Sequence, residues 1–147
     1  MDDNNSFQEN IKLNKDDILC REGDDESDLY MINSGKLIVC ATNGSQVSPI
    51  AYLGEGEYFG EMSFFDKNSR SANVICLEDC SLTKFSNENL NNFLPPWLLL
   101  MAKAITKKIR TSDELIATHG LRKKNVKHIA ALSIEEQTHF YQLLKTK

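Results

Sequence analysis

Two residues near the middle of the chain, Gly60 and Arg70, have types and spacing that suit an anion site, and Glu61 lies beside Gly60. Gly60 follows Tyr58-Phe59, and because it has no Cβ it lets the backbone approach an anion closely. The first N–H groups of the short helical segment that follows have no partners inside it, and the helix dipole favours negative charge there. Arg70 can return across the loop and donate two parallel hydrogen bonds to phosphate oxygens. The spacing therefore predicts a phosphate cradle.

Glu61 adds a condition on the ligand. A carboxylate beside a bound phosphate is unfavourable unless the ligand also offers hydroxyl donors, as a ribose does. The pattern thus favours a ligand with both an anionic group and free hydroxyls. Two simpler interpretations stay open from the residues alone: Glu61 and Arg70 could form a salt bridge that closes the loop, and Gly60 could serve only a turn.

Short strands are expected to position this segment. Apolar runs rich in Ile, Val, Tyr and Phe occupy residues 18–20, 29–32, 36–41, 47–53, 58–59, 73–77 and 81–85. Turn residues separate them, and Asn43-Gly44 predicts a two-residue hairpin loop because both residues tolerate positive φ. We predict a mainly β fold with flanking helices, a β jelly roll (double-stranded β-helix) over residues 11–85, preceded by a flexible segment at residues 1–10.

The pattern becomes helical after Ser86, a predicted N-cap for a short helix ending near Leu94. A proline pair breaks it, and a long helix is predicted over residues 96–118, ending before Gly120. Its apolar and small residues form one stripe with intervals of three or four: Leu98, Met101, Ile105, Ile109, Ser112, Ile116 and His119. Packing on the roll and pairing with a second chain are both open for this stripe.

The rest of the chain, residues 119–147, is predicted to be a short helical tail, with a capping box at Ser133 and Glu136. Charge is uneven: residues 1–102 have 7 Lys and Arg against 17 Asp and Glu, or −10, whereas residues 103–147 have 10 against 4, or +6. The acidic first part argues against non-specific binding of polyanions, and the basic tail is interpreted as a solvated helix face, so nucleic acid is not an expected partner.

Composition also points away from metal, membrane and secretion. The four cysteines form no CxxC pair and have no histidine near them in sequence, so we expect no zinc site and reduced, packed thiols. No apolar run reaches 18 residues, and the N-terminus is acidic and polar, unlike a secretory signal. A cytoplasmic protein that does not enter a membrane is expected.

The motifs together resemble a known family. The run Gly60-Glu61-Met62-Ser63, followed by Arg70-Ser71-Ala72, is similar to the phosphate-binding cassette of cyclic-nucleotide-binding domains. This family includes catabolite activator proteins, regulatory subunits of cyclic-AMP-dependent kinase and cyclic-nucleotide-gated channels. Residues 18–23, 28–32 and 34–37 resemble its first strands and turns, and the likeness extends over about residues 11–118, which would form the binding domain with its helices at 86–118.

The resemblance implies a receptor for cyclic AMP or cyclic GMP rather than an enzyme, with no cofactor and no metal. The backbone N–H groups around Gly60, Met62 and Ser63 would hold the cyclic phosphate. Glu61 would accept the ribose 2′-OH, and Arg70 would pair with the phosphate charge.

The contacts to the base are implied in the same way. Ser71 would add a hydroxyl to the phosphate or to a guanine amino group, so it does not choose between the two nucleotides. Met62 and Val74 are candidates for apolar contacts from the roll. The long helix would cover the purine, with Ser112 or Thr111 as its polar contact.

The segment after the long helix is too short for the DNA-binding domain of catabolite activators, so we expect output through a homodimer formed by the long helix or through a separate protein. Three other functions fit these residues less well. A ligand-free interaction module would have no reason to retain both Glu61 and Arg70. A cupin-type metal enzyme needs clustered histidines, and residues 1–118 contain none. A nucleic-acid-binding regulator depends on the basic tail alone.

Overall fold

The computed structural model describes residues 8–90, 92–119 and 130–146, without the side chains of residues 89, 90 and 113–119. Eight strands form two four-stranded antiparallel sheets, in the orders β1-β8-β3-β6 and β2-β7-β4-β5. The strands are β1 (Gln8–Leu13), β2 (Ile18–Cys20), β3 (Leu29–Ser34), β4 (Leu37–Asn43), β5 (Gln46–Leu53), β6 (Tyr58–Phe59), β7 (Asn73–Cys76) and β8 (Cys80–Phe85). The predicted jelly roll with flanking helices is confirmed.

Four helices lie in the described residues: α1 (Glu61–Asp66), α2 (Asn87–Leu90), α3 (Pro96–His119) and α4 (Ile134–Lys145). Helix α1 is inserted between β6 and β7, at the segment expected to hold an anion. Helix α4 begins with the predicted capping box, in which Ser133 and Glu136 each accept a hydrogen bond from the other's backbone N–H. Proline at the first position of α3 fits the helix start because its missing N–H would have no helical partner there.

The main core lies between the two sheets. Tyr30 and Ile32 alternate with less buried neighbours along β3, as a strand with one face towards a core requires. They meet Leu37, Val74 and Leu82, which are fully buried. This core fixes β6 and β7, and so fixes both ends of the segment that contains α1.

The centre of the β2-β7-β4-β5 sheet, formed by β7 and the first half of β4, is buried on both faces. All four residues of β7 and the first four of β4 are buried, so these strands lack polar alternation. Helix α4 and the residues before it cover the outer face, where Leu132 and Phe140 pack against Ile38, Val47 and Ile75. The described part of the tail, residues 130–146, is thus part of the packed structure, although the tail was predicted only as a short helix.

Three details differ from the sequence predictions, and a fourth prediction falls outside the described residues. Residues 8–10 belong to β1 and pair with β8, although a flexible segment through residue 10 was predicted; residues 1–7 lie outside the described residues. The β4–β5 hairpin forms, but its loop is Gly44-Ser45, and Asn43 pairs with Gln46 in the strands. Helix α2 ends at Leu90 rather than near Leu94. Gly120, the predicted end of the long helix, lies outside the described residues.

All four cysteines are buried and unpaired, as expected for packed thiols. Burial, the main cause, raises the pKa of Cys20 to about 12 and that of Cys40 to about 11. These thiols therefore stay protonated at neutral pH and act as small apolar side chains.

Candidate functional site

A cavity of about 550 Å³ lies beside the start of α1 and contains most of the predicted site residues. Its apolar wall comes from β4 and β5, including Val39, Ile50 and Leu53. Its polar wall comes from residues 60–63 and 70–71. A pocket with one apolar side and a few convergent polar groups is the usual form of a small-molecule site.

Arg70 is the buried charge of this site, with 3% of its surface exposed. Its guanidinium lies 5.2 Å from the ring centroid of Phe59 and 5.9 Å from that of Tyr30. Nη2 donates to the backbone oxygen of Asp28 over 2.6 Å, and Nη1 donates to the Gly60 oxygen over 3.4 Å. The buried Nε has no hydrogen-bond partner among the described residues, so its N–H is an unsatisfied donor inside the fold.

The ion-pair partner of Arg70 was not predicted. Glu26 lies with Oε2 at 3.4 Å from Nη2 of Arg70, whereas the predicted alternative, a salt bridge with Glu61, is not among the ion pairs of the described residues. Tyr30 donates its hydroxyl to the same carboxylate. Burial first, and then this hydrogen bond, raises the pKa of Tyr30. An acidic run at residues 24–26 was the available signal, but nothing in the sequence showed that this loop reaches Arg70.

Gly60 is required both by its conformation and by its surroundings. It has a φ of +92° and is the N-cap of α1. A Cβ at this position would lie 2.5 Å from Nη1 of Arg70 and 2.7 Å from the backbone oxygen of Asp28. Gly60 is thus more than a turn residue, because its missing side chain provides the space that the guanidinium occupies.

The structure brings six of the nine predicted site residues to the cavity. Four of them line the cavity around the start of α1. Arg70 and Ser71, which come after the loop that follows α1, line it as well. These four are Gly60, Glu61, Met62 and Ser63. Glu61 and Ser71 are exposed at the cavity, whereas Ser63 is buried.

Three predicted residues lie elsewhere. Val74 is fully buried in the core between the sheets, so its predicted place on the cavity wall is corrected; Val39, on the neighbouring strand, lines the cavity instead. Thr111 and Ser112 are exposed on α3, and their hydroxyls donate to the backbone of their own helix, at Lys107 and Lys108, over 2.9 and 3.0 Å. Neither lines the cavity in this structure.

Helix α3 is attached to α1 by an ion pair. Arg110 donates through Nε and Nη2 to the carboxylate of Asp66, the second contact measuring 3.2 Å. Burial pushes the pKa of Asp66 upwards, but the hydrogen bonds from Arg110 and Asn68 outweigh it and hold that pKa below its ordinary value of 3.8. Helix α3 is therefore linked directly to α1, the helix that lines the cavity.

The predicted stripe of α3 is largely uncovered where its side chains are described. Met101, Ile105 and Ile109 are 48%, 50% and 43% exposed. Ile116 and His119 lie outside the described side chains. No helix in the described part of the chain combines the length and apolar character needed to cross a membrane.

Comparisons with known proteins agree with this geometry. The family model of the cyclic nucleotide-binding domain matches residues 10–95, which include α1, Arg70 and all but the beginning of the roll. The chain is 35% identical over 96 residues to the cyclic AMP receptor protein of Thermus thermophilus, covering 63% of this chain and 44% of that protein. It is 30% identical over 144 residues to the human cyclic nucleotide-gated channel alpha-3, covering 87% of this chain and 20% of the channel. The chain thus spans less than half of either relative.

Solved structures give the same result. An EAL enzyme in its cyclic-AMP-bound form has a TM-score of 0.66 and 29% identity, covering 76% of this chain and 30% of that one. Its cyclic-GMP-bound form has a TM-score of 0.63 and 29% identity, with 72% and 29% covered. Because the family model matches more than half of the residues, and because its matched segment contains the cavity with Arg70, the chain belongs to the cyclic nucleotide-binding domain family, and this domain is regulatory rather than catalytic.

Proposed function

We propose that this protein is a receptor that reversibly binds a 3′,5′-cyclic nucleotide, cyclic AMP or cyclic GMP, in the cavity beside α1. The observation that carries the proposal is the buried guanidinium of Arg70: this residue lines the cavity, and its Nε has no partner among the described residues. A buried charged group is stable only when it is well paired. A singly charged cyclic phosphate would supply the missing acceptor.

The proposed contacts use the wall around Arg70. The backbone N–H groups of residues 60–63 face the phosphate, and Glu61 accepts a hydrogen bond from the ribose 2′-OH. Ser71 donates to the phosphate or accepts from a guanine amino group. The apolar wall of β4 and β5 receives the ribose and base. Thr111 and Ser112 can reach the purine only if α3 moves over the cavity, because both hydroxyls lie away from the cavity in this structure.

Both nucleotides remain candidates. The solved relative described above occurs in a cyclic-AMP-bound and a cyclic-GMP-bound form, and the hydroxyl of Ser71 suits either base. The test is a calorimetric titration of the protein with each nucleotide, with 5′-AMP as the control because it has a doubly charged, acyclic phosphate. Saturable binding of a cyclic nucleotide supports the proposal. No binding of either one favours the alternative, a jelly-roll interaction module without a ligand.

The exposed stripe of α3 suggests how the protein assembles. Exposed apolar strips usually mark an interface, and a two-fold axis would pair the stripe with itself. We propose that α3 forms a homodimer and that movement of this helix carries the signal to the dimer mate or to a separate output protein. The ion pair between Arg110 and Asp66 gives the ligand-binding segment a direct hold on α3.

The dimer is tested with Ile105→Glu, which would place two like charges opposite each other in the seam. We expect a wild-type dimer and a monomeric variant by sedimentation velocity. The matched control is Thr138→Glu, which adds the same charge at an exposed position of α4. A wild-type protein that stays monomeric at high micromolar concentration, with and without nucleotide, would refute the dimer.

A cytoplasmic location completes the proposal. The four buried thiols are unpaired in the structure, which suits a reducing compartment. Fractionation of cells that produce the protein, with detection by a tagged C-terminus, would test this location.

A further inference from the structure

Helix α4 lies outside the family-matching residues 10–95, but it contacts a part of the roll that holds Arg70 in place. The last carbonyl groups of a helix have no partners inside it and form the negative end of its dipole. Arg21 lies at this end: Nη1 donates to the Leu144 oxygen over 3.0 Å, and Nη2 donates to the Thr146 oxygen. One arginine of the roll thus caps the C-terminal end of α4.

The same arginine begins the loop of residues 21–28, which connects β2 to β3. Within this loop, the backbone N–H of Arg21 donates to Oδ2 of Asp24 over 2.8 Å, and the Asp24 N–H returns to the Arg21 oxygen over 3.1 Å. These two bonds close the loop into a tight turn. Its shape is therefore tied to the position of Arg21.

This turn holds the backbone of Arg70. The Arg70 N–H donates to the Asp24 oxygen, and the Gly23 N–H donates to the Arg70 oxygen, both over 2.8 Å. The loop also contacts the guanidinium, through the side chain of Glu26 and the backbone oxygen of Asp28. Only one of the hydrogen bonds described for the Arg70 side chain, the long contact to Gly60, comes from outside the loop.

We propose that α4 and Arg21 position Arg70 for nucleotide, so that docking of α4 on the sheet and binding of nucleotide favour each other. The docked helix holds Arg21, Arg21 holds the turn at Asp24, and the turn orients Arg70. A loop that is ordered before the ligand arrives loses less conformational entropy on binding. This inference rests on the proposed function, and it adds a positioning residue outside the cavity.

Coupling of this kind is reciprocal: if docked α4 strengthens nucleotide binding by some factor, nucleotide must stabilise docked α4 by the same factor. Coupling free energies between sites commonly correspond to factors of about 5 to 150. The link here passes through one side chain, so we expect a factor near the low end, about fivefold.

Two measurements test the proposal. In calorimetric titration with cyclic AMP and with cyclic GMP, Arg21→Ala should weaken binding about fivefold, and Arg21→Lys, which keeps a cation at the helix end, should recover part of the loss. The matched control is Thr138→Ala, at an exposed position of α4 whose hydroxyl donates to the Ile134 oxygen of its own helix over 2.8 Å. This control should bind as the wild type does.

The second measurement uses the wild-type protein and so does not depend on whether a variant folds. Nucleotide should slow hydrogen exchange of the α4 amides about fivefold, by reciprocity, and leave the edge strand β1 unchanged. This inference is overturned if Arg21→Ala binds nucleotide with unchanged affinity and nucleotide leaves hydrogen exchange of the α4 amides unchanged. That result would leave the receptor function in place. Absence of nucleotide binding by the wild type overturns both.

Discussion

Replacement of Arg70 by alanine is the most direct test of the nucleotide site. The variant removes the one buried guanidinium that lines the cavity among the described residues. Loss of one partner of a buried, hydrogen-bonded charge pair costs about 2–5 kcal/mol. The side chain is only 2% exposed, so water cannot replace it effectively, and a large effect is expected.

The ion pair between Arg70 and Glu26 reduces the expected loss of binding free energy and places it in the lower part of that range. Arg70 already pairs with Glu26, whose side chain is 33% exposed, so part of the guanidinium charge is compensated without a phosphate. Partly exposed ion pairs are worth about 0–1 kcal/mol. The net loss in Arg70→Ala should therefore be about 2–3 kcal/mol, which corresponds to a roughly 30- to 150-fold weaker Kd.

The assay is calorimetric titration of wild type and variant with the nucleotide that the wild type binds more tightly. Lys67→Ala is the matched control for charge, because Lys67 is the other cation of the segment 60–72 and is exposed at the end of α1. It should change the Kd by less than about threefold. Arg70→Lys keeps the charge but loses the planar fork, so it should fall between. An Arg70→Ala protein that is folded by circular dichroism and binds within about threefold of wild type refutes the assignment.

Two further predictions concern the residues beside Arg70. A 2′-deoxy cyclic nucleotide should bind the wild type about 1.5–3 kcal/mol more weakly than its parent, because it lacks the hydroxyl proposed to donate to Glu61. Glu61→Gln should lessen that difference. Equal binding of the parent and the deoxy analogue by the wild type would give Glu61 another role. Gly60→Ala should destabilise folding by at least about 1 kcal/mol more than Gly56→Ala in urea unfolding. Both glycines have positive φ, +92° and +83°, but only at Gly60 would a Cβ meet neighbouring atoms, so equal losses would contradict the steric argument.

Most of the roll was predictable because its strands are short apolar runs between turn residues. Strand β1 was missed because its first three residues are polar and exposed on an edge strand, which leaves no apolar alternation. The hairpin after β4 was found, but its loop was placed one residue early, since Asn43-Gly44 is a favourable dipeptide and the pairing of Asn43 with Gln46 depends on register. Local residue preferences therefore predicted the presence of these elements better than they predicted the residues at which the elements begin and end.

The candidate site was predictable to the same degree. Six of its residues came from one contiguous motif, and the structure gathers them at one cavity. Val74 was misplaced because β7 is buried on both faces, so its sequence does not show which side chains face the cavity. Glu26 and Arg21 could not be found in this way, since their contacts depend on the path of the loop at residues 21–28 and on where α4 docks.

The cover that α4 gives to the outer face of the β2-β7-β4-β5 sheet has a practical consequence for anyone who shortens this protein. A fragment trimmed to the family-matching residues 10–95 would keep the whole cavity wall but lose Leu132 and Phe140. Ile38, Val47 and Ile75 would then face water as one apolar patch on an open β surface. Such patches promote self-association. Poor solubility of that fragment would reflect the missing cover, and it would say nothing about the quality of the nucleotide site.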